Sequence, residues 1–195
     1  MDFLFLAELF VNGLSTGLMY SLVALGITLI YKASGVPNLA QGAMVMLSGY
    51  LVWAVVSLLS WPLWLAIALA VVGMFLFGLA TERWLLRRMV GQPVIMIVML
   101  TLGLDIFLRG FVPGLLGAAP KRLDLGIGLA PIIVVDVFVN RAYLVGAIGA
   151  MVLIAAAMLF FRTRLGTKLR AVSDDHVASW AVGISVERAI GISWG

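Results

Sequence analysis

Five apolar runs, roughly Leu9–Tyr31, Ala43–Leu59, Pro62–Ala80, Val94–Val112 and Ala142–Phe161, dominate this 195-residue chain. Each approaches the roughly 20 residues that a helix needs to cross the hydrocarbon core of a bilayer. Hydrophobic residues make up 64% of the sequence and charged ones 11%, with a mean hydropathy of +1.17, far from the balance of a water-soluble domain. The expected fold is all-α: a polytopic transmembrane helical bundle with five complete spans. The first run is long, is soon followed by the second and shows no small-residue cleavage site, so it reads as a span and not as a removable signal peptide.

The basic residues assign an orientation. Alternate loops hold Lys32, then Arg83, Arg87 and Arg88, then Arg162, Arg164, Lys168, Arg170 and Arg188. The opposite side holds Lys121, Arg122 and Arg141, with Arg109 near a helix end. Nine against four predicts that the richer loops are cytoplasmic and the N-terminus is outside. The net charge of +4 is thereby explained by loop basicity, and nucleic acid is not an expected partner. Cysteine is absent and histidine occurs once, at His176, so disulfides, thiolate sites and His-rich metal sites are not expected.

The connections are uneven. Ser60-Trp-Pro62 alone joins the second and third spans, with Pro62 suited to the first turn of the new helix. Trp53, Trp61 and Trp64 fit an interfacial aromatic belt there. From Pro113 to Asn140 the sequence reads as an external loop, in which Ile132–Val139 is a short strand or an interfacial piece. After residue 161 comes a polar island, and Ser185 and Glu187 then open another helix that stops at Gly195, the start of a sixth span. The chain therefore reads as one incomplete transmembrane domain, 1–195, with a cytoplasmic loop at 163–188.

Within the first span Gly13, Gly17 and Ser21 recur every four residues, a spacing of small side chains that predicts close packing against another helix. Ser15 and Thr16 either add interhelical hydrogen bonds or face a translocation path. In the loop that follows, Gly35 and Pro37 break the helix while Asn38 and Gln41 enter the next span. Either Asn38 caps an ordinary turn, or the irregular backbone lines a cavity, the setting in which such backbone survives at membrane depth.

Gly17-Leu-Met-Tyr-Ser-Leu-Val-Ala-Leu-Gly-Ile-Thr-Leu-Ile-Tyr31 and Gly35-Val-Pro-Asn-Leu-Ala-Gln-Gly42 together resemble the amino-terminal signature of branched-chain amino acid ABC transporter permeases. Glu82-Arg83-Trp-Leu-Leu-Arg87, Thr101-Leu-Gly-Leu104 and Arg162-Thr-Arg-Leu-Gly-Thr-Lys-Leu-Arg-Ala-Val-Ser-Asp-Asp continue the resemblance in order along the chain. Members of that family are usually longer, so the likeness covers their first two thirds. It implies a multi-pass protein of the bacterial inner membrane that works with ABC ATPase subunits, a second permease subunit (identical or different) and a periplasmic substrate-binding protein. It implies no cofactor.

Leu165, Leu169, Val172, His176, Trp180 and Ile184 follow a helical spacing in the polar island. Ser173 or Asp174 suits a cap, Asp175 the first turn and Gly183 the end of a short helix. The resemblance makes this the coupling helix, with Arg170, Asp174, Asp175, Val177, Trp180 and Gly183 in contact with the ATPase. The alternative is a basic segment lying on anionic headgroups, which suits residues 162–170 better than the acidic stretch after them.

Asp105 and Arg109 share a helical face near the outer end of the fourth span, which also carries Thr101. Charged residues at membrane depth face an interior or water and mark candidate pathways. The pair either neutralises itself or meets the ammonium and carboxylate of an amino acid. The translocation-path candidates are therefore Ser15, Thr16, Asn38, Gln41, Thr101, Asp105 and Arg109. An intramembrane enzyme would need a nucleophile–base pair or metal ligands that the spans lack, so no catalytic role is expected. A sugar-type permease of the same superfamily and a proton-coupled secondary transporter using Asp105 are the alternative functions.

Overall fold

From Phe3 to Ser34 the sequence offers 32 residues without a proline, and they form one helix, α1. It extends beyond the expected span at both ends, since Phe3–Glu8 and Lys32–Ser34 carry nothing that stops a helix. The computed structural model describes residues 3–89, 92–123, 132–134, 137–139 and 141–163. Within them α2 is Gln41–Leu58, α3 is Leu63–Thr81, α4 is Val94–Leu116 and α5 is Arg141–Phe161. All five helices are long and apolar enough to cross a membrane. Leu9, Phe10, Tyr20, Trp64 and Ile106 are among the large apolar side chains left exposed, a pattern that suits a lipid surrounding and not water. The protein is all-α and polytopic, a multi-pass membrane protein.

The helix ends follow backbone chemistry. Gly35 takes φ +70° and its N–H donates to the Tyr31 carbonyl at 2.9 Å, closing α1. A left-handed residue there costs glycine nothing. Between α2 and α3, Ser60 is forced to φ 55°, an uncommon value for a residue with a side chain. Pro62 stands just ahead of α3 and not inside its first turn, and its carbonyl accepts from Leu65 and Ala66 at 3.0 and 3.1 Å. Pro93 precedes α4 in the same way.

Two connections differ from expectation. Helix α4 runs through Pro113 to Leu116 and does not end at Val112. Near a helix end the ring is tolerated, at the cost of the N–H that would have bonded the Arg109 carbonyl. At the far end of α3, a π-helical turn Glu82–Leu86 and a 3-10 turn Arg87–Met89 carry the chain onward. The apolar run at 132–139 is a strand pair: β1 (Ile132–Val134) lies antiparallel to β2 (Val137–Val139), with Ile132 opposite Val139.

The chain forms two compact units. One contains α1 up to Leu25, the strand pair and α5; the other runs from Gly26 to Leu123. In the first, a Cβ added to Gly146 of α5 would stand 2.7 Å from the Met19 Sδ of α1, so the missing side chain lets that thioether approach. Ala147 and Ala150 are buried on the same helix. Ser15, one turn before Met19, is buried as well, whereas Gly13, Gly17 and Ser21 are exposed. Nothing lies within 4 Å of where a Cβ would sit on Gly13 or Gly17, so the expected close contact on that face is not made by the described residues. In the second unit α2 packs on both α3 and α4. Ala43, Met44, Leu108 and Val112 form its core, flanked by Met46, Leu47, Tyr50 and Leu104.

Candidate functional site at the start of the second helix

The residues from Gly35 to Ala40 turn the chain from α1 into α2, with Val36, Asn38 and Ala40 buried and Gly35 and Leu39 exposed. Asn38, at 1% exposure, holds this turn together from inside. Its Oδ1 accepts from the Ala40 N–H at 3.0 Å, and its Nδ2 donates to Gln41 Oε1 and towards Met44 Sδ, both at 3.4 Å. A side chain satisfied this way and closed off from solvent is an internal clamp. Asn38 therefore braces the turn from within. Val36 and Ala40 are buried around it.

Thr101 ties the turn to α4. Its hydroxyl donates to the Val98 carbonyl at 2.9 Å and accepts from the Leu39 N–H at 3.4 Å, at 2% exposure. Without that hydroxyl the Leu39 amide would lose its acceptor in a part-buried setting, which costs about 1–3 kcal/mol. Gln41 turns the other way. A Cβ on Gly26 would stand 2.8 Å from Gln41 Nε2, so its amide lies against bare α1 backbone.

Asp105 and Arg109 continue the Thr101 face one and two turns further along α4. Arg109 Nε donates to Asp105 Oδ2 at 2.7 Å. The contact is single, and Asp105 Oδ1 is buried with no hydrogen-bond partner among the described residues. The side chains are 57% and 17% exposed, so the guanidinium is open while the carboxylate is sheltered. Arg109 Nη2 reaches α2, where a Cβ on Gly42 would be only 3.2 Å away. Such an arrangement can accept a donor at Oδ1 and offer N–H groups to an anion beside it. A bidentate guanidinium–carboxylate pair would have satisfied itself.

Sequence reasoning named Asn38, Gln41, Thr101, Asp105 and Arg109, and the structure gathers all five around the α1–α2 turn and the facing side of α4. It missed Gly26 and Gly42, whose lack of a side chain admits Gln41 and Arg109; small residues near polar ones carry no signal of what packs on them. Ser15 and Thr16 belong to the other compact unit. Their hydroxyls donate back to the Val11 and Asn12 carbonyls at 2.8 and 2.9 Å, as Ser21 does to Gly17, which satisfies them within their own helix. Arg170, Asp174, Asp175, Val177, Trp180 and Gly183 lie outside the described residues.

Comparison with known proteins adds to this geometry. The family described as "Branched-chain amino acid transport system / permease component" matches residues 9–195. The chain is 23% identical over 208 residues to the high-affinity branched-chain amino acid transport system permease protein LivH of Salmonella typhimurium, covering 99% of this chain and 67% of that protein. It is 26% identical over 203 residues to the corresponding permease protein BraD of Pseudomonas aeruginosa, covering 94% and 64%. With the probable branched-chain amino acid transport permease protein LivH of Methanocaldococcus jannaschii it shares 27% over 189 residues, covering 89% and 56%. The chain thus spans about two thirds or less of the length of these relatives. No solved structure matches it.

Proposed function

Because this chain belongs to the permease-component family of branched-chain amino acid transport systems, we propose that it is a membrane-spanning subunit of an ATP-driven importer for branched-chain or related amino acids. The observation that carries the path is the polar face Thr101–Asp105–Arg109, set against the irregular Gly35–Ala40 turn in an otherwise apolar unit. The carboxylate of Asp105, whose Oδ1 has no hydrogen-bond partner among the described residues, and the open guanidinium of Arg109 beside it suit the two ends of a zwitterion. An ammonium is a donor for the first and a carboxylate an acceptor for the second. Asn38, Gln41 and Thr101 fix the wall on which the pair stands.

The remaining parts of the reading come from the family and the charge pattern. The N-terminus is outside, the basic loops are in the cytoplasm and the membrane is the bacterial inner membrane. ABC ATPase subunits dock on the 163–188 loop, where Val177 and Trp180 serve as apolar anchors of a short helix in a groove. A periplasmic binding protein delivers substrate to the opposite face. A second permease subunit completes the path, and the exposed Gly13–Gly17–Ser21 face of α1 supplies a surface on which another helix can approach closely.

Uptake of labelled leucine into reconstituted vesicles, with the cognate ATPases and binding protein, tests the reading. Transport should stop when ATP is depleted and continue when the membrane potential is collapsed. The reverse dependence would replace it with a proton-coupled transporter, and uptake of ribose in place of leucine would replace it with a sugar-type permease.

A further inference from the structure

Beyond the α4 face, the second unit holds a cavity of about 360 Å3 between α2 and the segment that follows α4. Met46, Gly49, Tyr50 and Trp53 of α2 line one side, and Lys121 and Leu123 line the other. Three contacts shape it. Tyr50 Oη donates to the Gly117 carbonyl at 3.4 Å, which fastens the end of α4 to α2. Lys121 Nζ stands over the Trp53 ring, 4.3 Å from its centroid. Gly117 has φ +90°, which favours glycine, and a Cβ there would lie 3.1 Å from that ammonium and would push the lysine tip aside by a few tenths of an ångström.

We propose that this cavity is a binding site for an anionic phospholipid, with the headgroup phosphate on Lys121 Nζ and the glycerol and upper acyl carbons against Met46, Gly49 and Tyr50. The cation–π contact occupies one side of the ammonium, and Lys121 makes no ion pair among the described residues. An ammonium has three donors, so N–H groups remain for an anion. The walls are otherwise apolar, and among the described residues nothing lies within 4 Å of where a Cβ on Gly49 would sit, so the floor is open there. A soluble anion would pair with the lysine and leave the apolar walls against water; an amphiphile covers both. A lysine just past the end of one span and a tryptophan in the last turns of another are also residue types that meet headgroups. The site depends only on the protein spanning a membrane, not on what it transports.

Native mass spectrometry of the purified chain, with phosphatidylglycerol or phosphatidylcholine of matched acyl chains added, tests this. The parent should retain phosphatidylglycerol in preference. Lys121→Gln should weaken that retention about fivefold, the effect of one basic residue beside an anionic surface, while Lys121→Arg keeps it. Gly49→Leu should fill the floor and weaken both lipids. Equal retention of phosphatidylglycerol by parent and Lys121→Gln, or equal retention of the two lipids by the parent, would overturn the assignment. So would displacement of bound phosphatidylglycerol by millimolar inorganic phosphate, which would make the occupant a free anion. Lys121 is a loop residue, so the Gln and Arg variants decide the matter even where Gly49→Leu fails to fold.

Discussion

A Cβ placed on Gly42 would stand 3.2 Å from Nη2 of Arg109, so the guanidinium of α4 reaches the first turn of α2 because residue 42 has no side chain. Asp105 Oδ2 on the same helix accepts from Arg109 Nε, while Nη2 lies close to the bare backbone of α2. The charged pair and the start of α2 form one structural unit.

Substitution at residue 42 should follow side-chain size. Gly42→Ala asks the flexible tip of Arg109 to give by a few tenths of an ångström and should keep most of the parent's uptake. Gly42→Leu displaces the guanidinium and should reduce uptake at least tenfold while leaving expression and membrane insertion intact. Uptake normalised to protein in the membrane measures both, and a Leu variant as active as the parent would place Arg109 outside the path.

Thr101 should respond to the loss of its hydroxyl and not to a change in size. Thr101→Val keeps the shape but leaves the Leu39 N–H without its acceptor. A loss of about 1–3 kcal/mol is expected, read as a fall in Tm of several degrees for the detergent-solubilised protein. Thr101→Ser should stay near the parent. Equal Tm values for Val and Ser would mean that the long 3.4 Å contact contributes nothing.

The spans were legible because each needs only a run of apolar residues of sufficient length, a property local to the sequence. Their ends were less so. Pro113 reads as a helix stop but is accommodated near the end of α4, where only one backbone bond is lost. The site was legible residue by residue, since polar groups in apolar helices stand out, but its wiring was not. That Thr101 would meet Leu39 across 62 positions, or Arg109 meet Gly42, depends on how α2 and α4 pack, which no local pattern records. Small residues carry no partner in their spacing for the same reason: the every-fourth pattern in α1 marks a face, whereas Gly146 of α5 admits Met19.

That contrast separates two glycines. Gly146→Leu collides with Met19 inside its own unit and should lower the yield of folded protein. Gly17→Leu meets nothing in the described residues and should fold and insert like the parent. If the Gly13–Gly17–Ser21 face receives a helix of the second permease subunit, the Gly17 variant should instead lose that subunit on co-purification. Retention of the partner by Gly17→Leu would leave this face to lipid.

If residues 163–188 dock the ATPase as proposed, the contact should be sensitive to charge at Val177 and Trp180. Val177→Asp or Trp180→Asp places an unpaired carboxylate in an apolar groove and should abolish association with the ATPase subunits without affecting insertion. Normal co-purification of those subunits would move the docking surface elsewhere.

The Asp105–Arg109 pair allows a sharper test, because its two readings differ in sign. If the residues serve only to neutralise each other, Asp105→Asn combined with Arg109→Gln should transport nearly as well as the parent. Each single change should then be worse than the double, since it strands one charge. If they meet the two ends of a zwitterion, the double variant should be at least as impaired as either single. The geometry favours the second outcome: one oxygen of Asp105 is engaged while the other is buried without a partner, and the guanidinium stays open. A pair built only for self-neutralisation would gain from closing both contacts, and here Asp105 Oδ1 has no hydrogen-bond partner among the described residues. The expected result is therefore a double variant that is assembled and ATPase-associated yet transports no better than the singles, read as a coupling energy in a double-mutant cycle on uptake rates. Recovery of uptake in the double variant would assign the pair to structure alone.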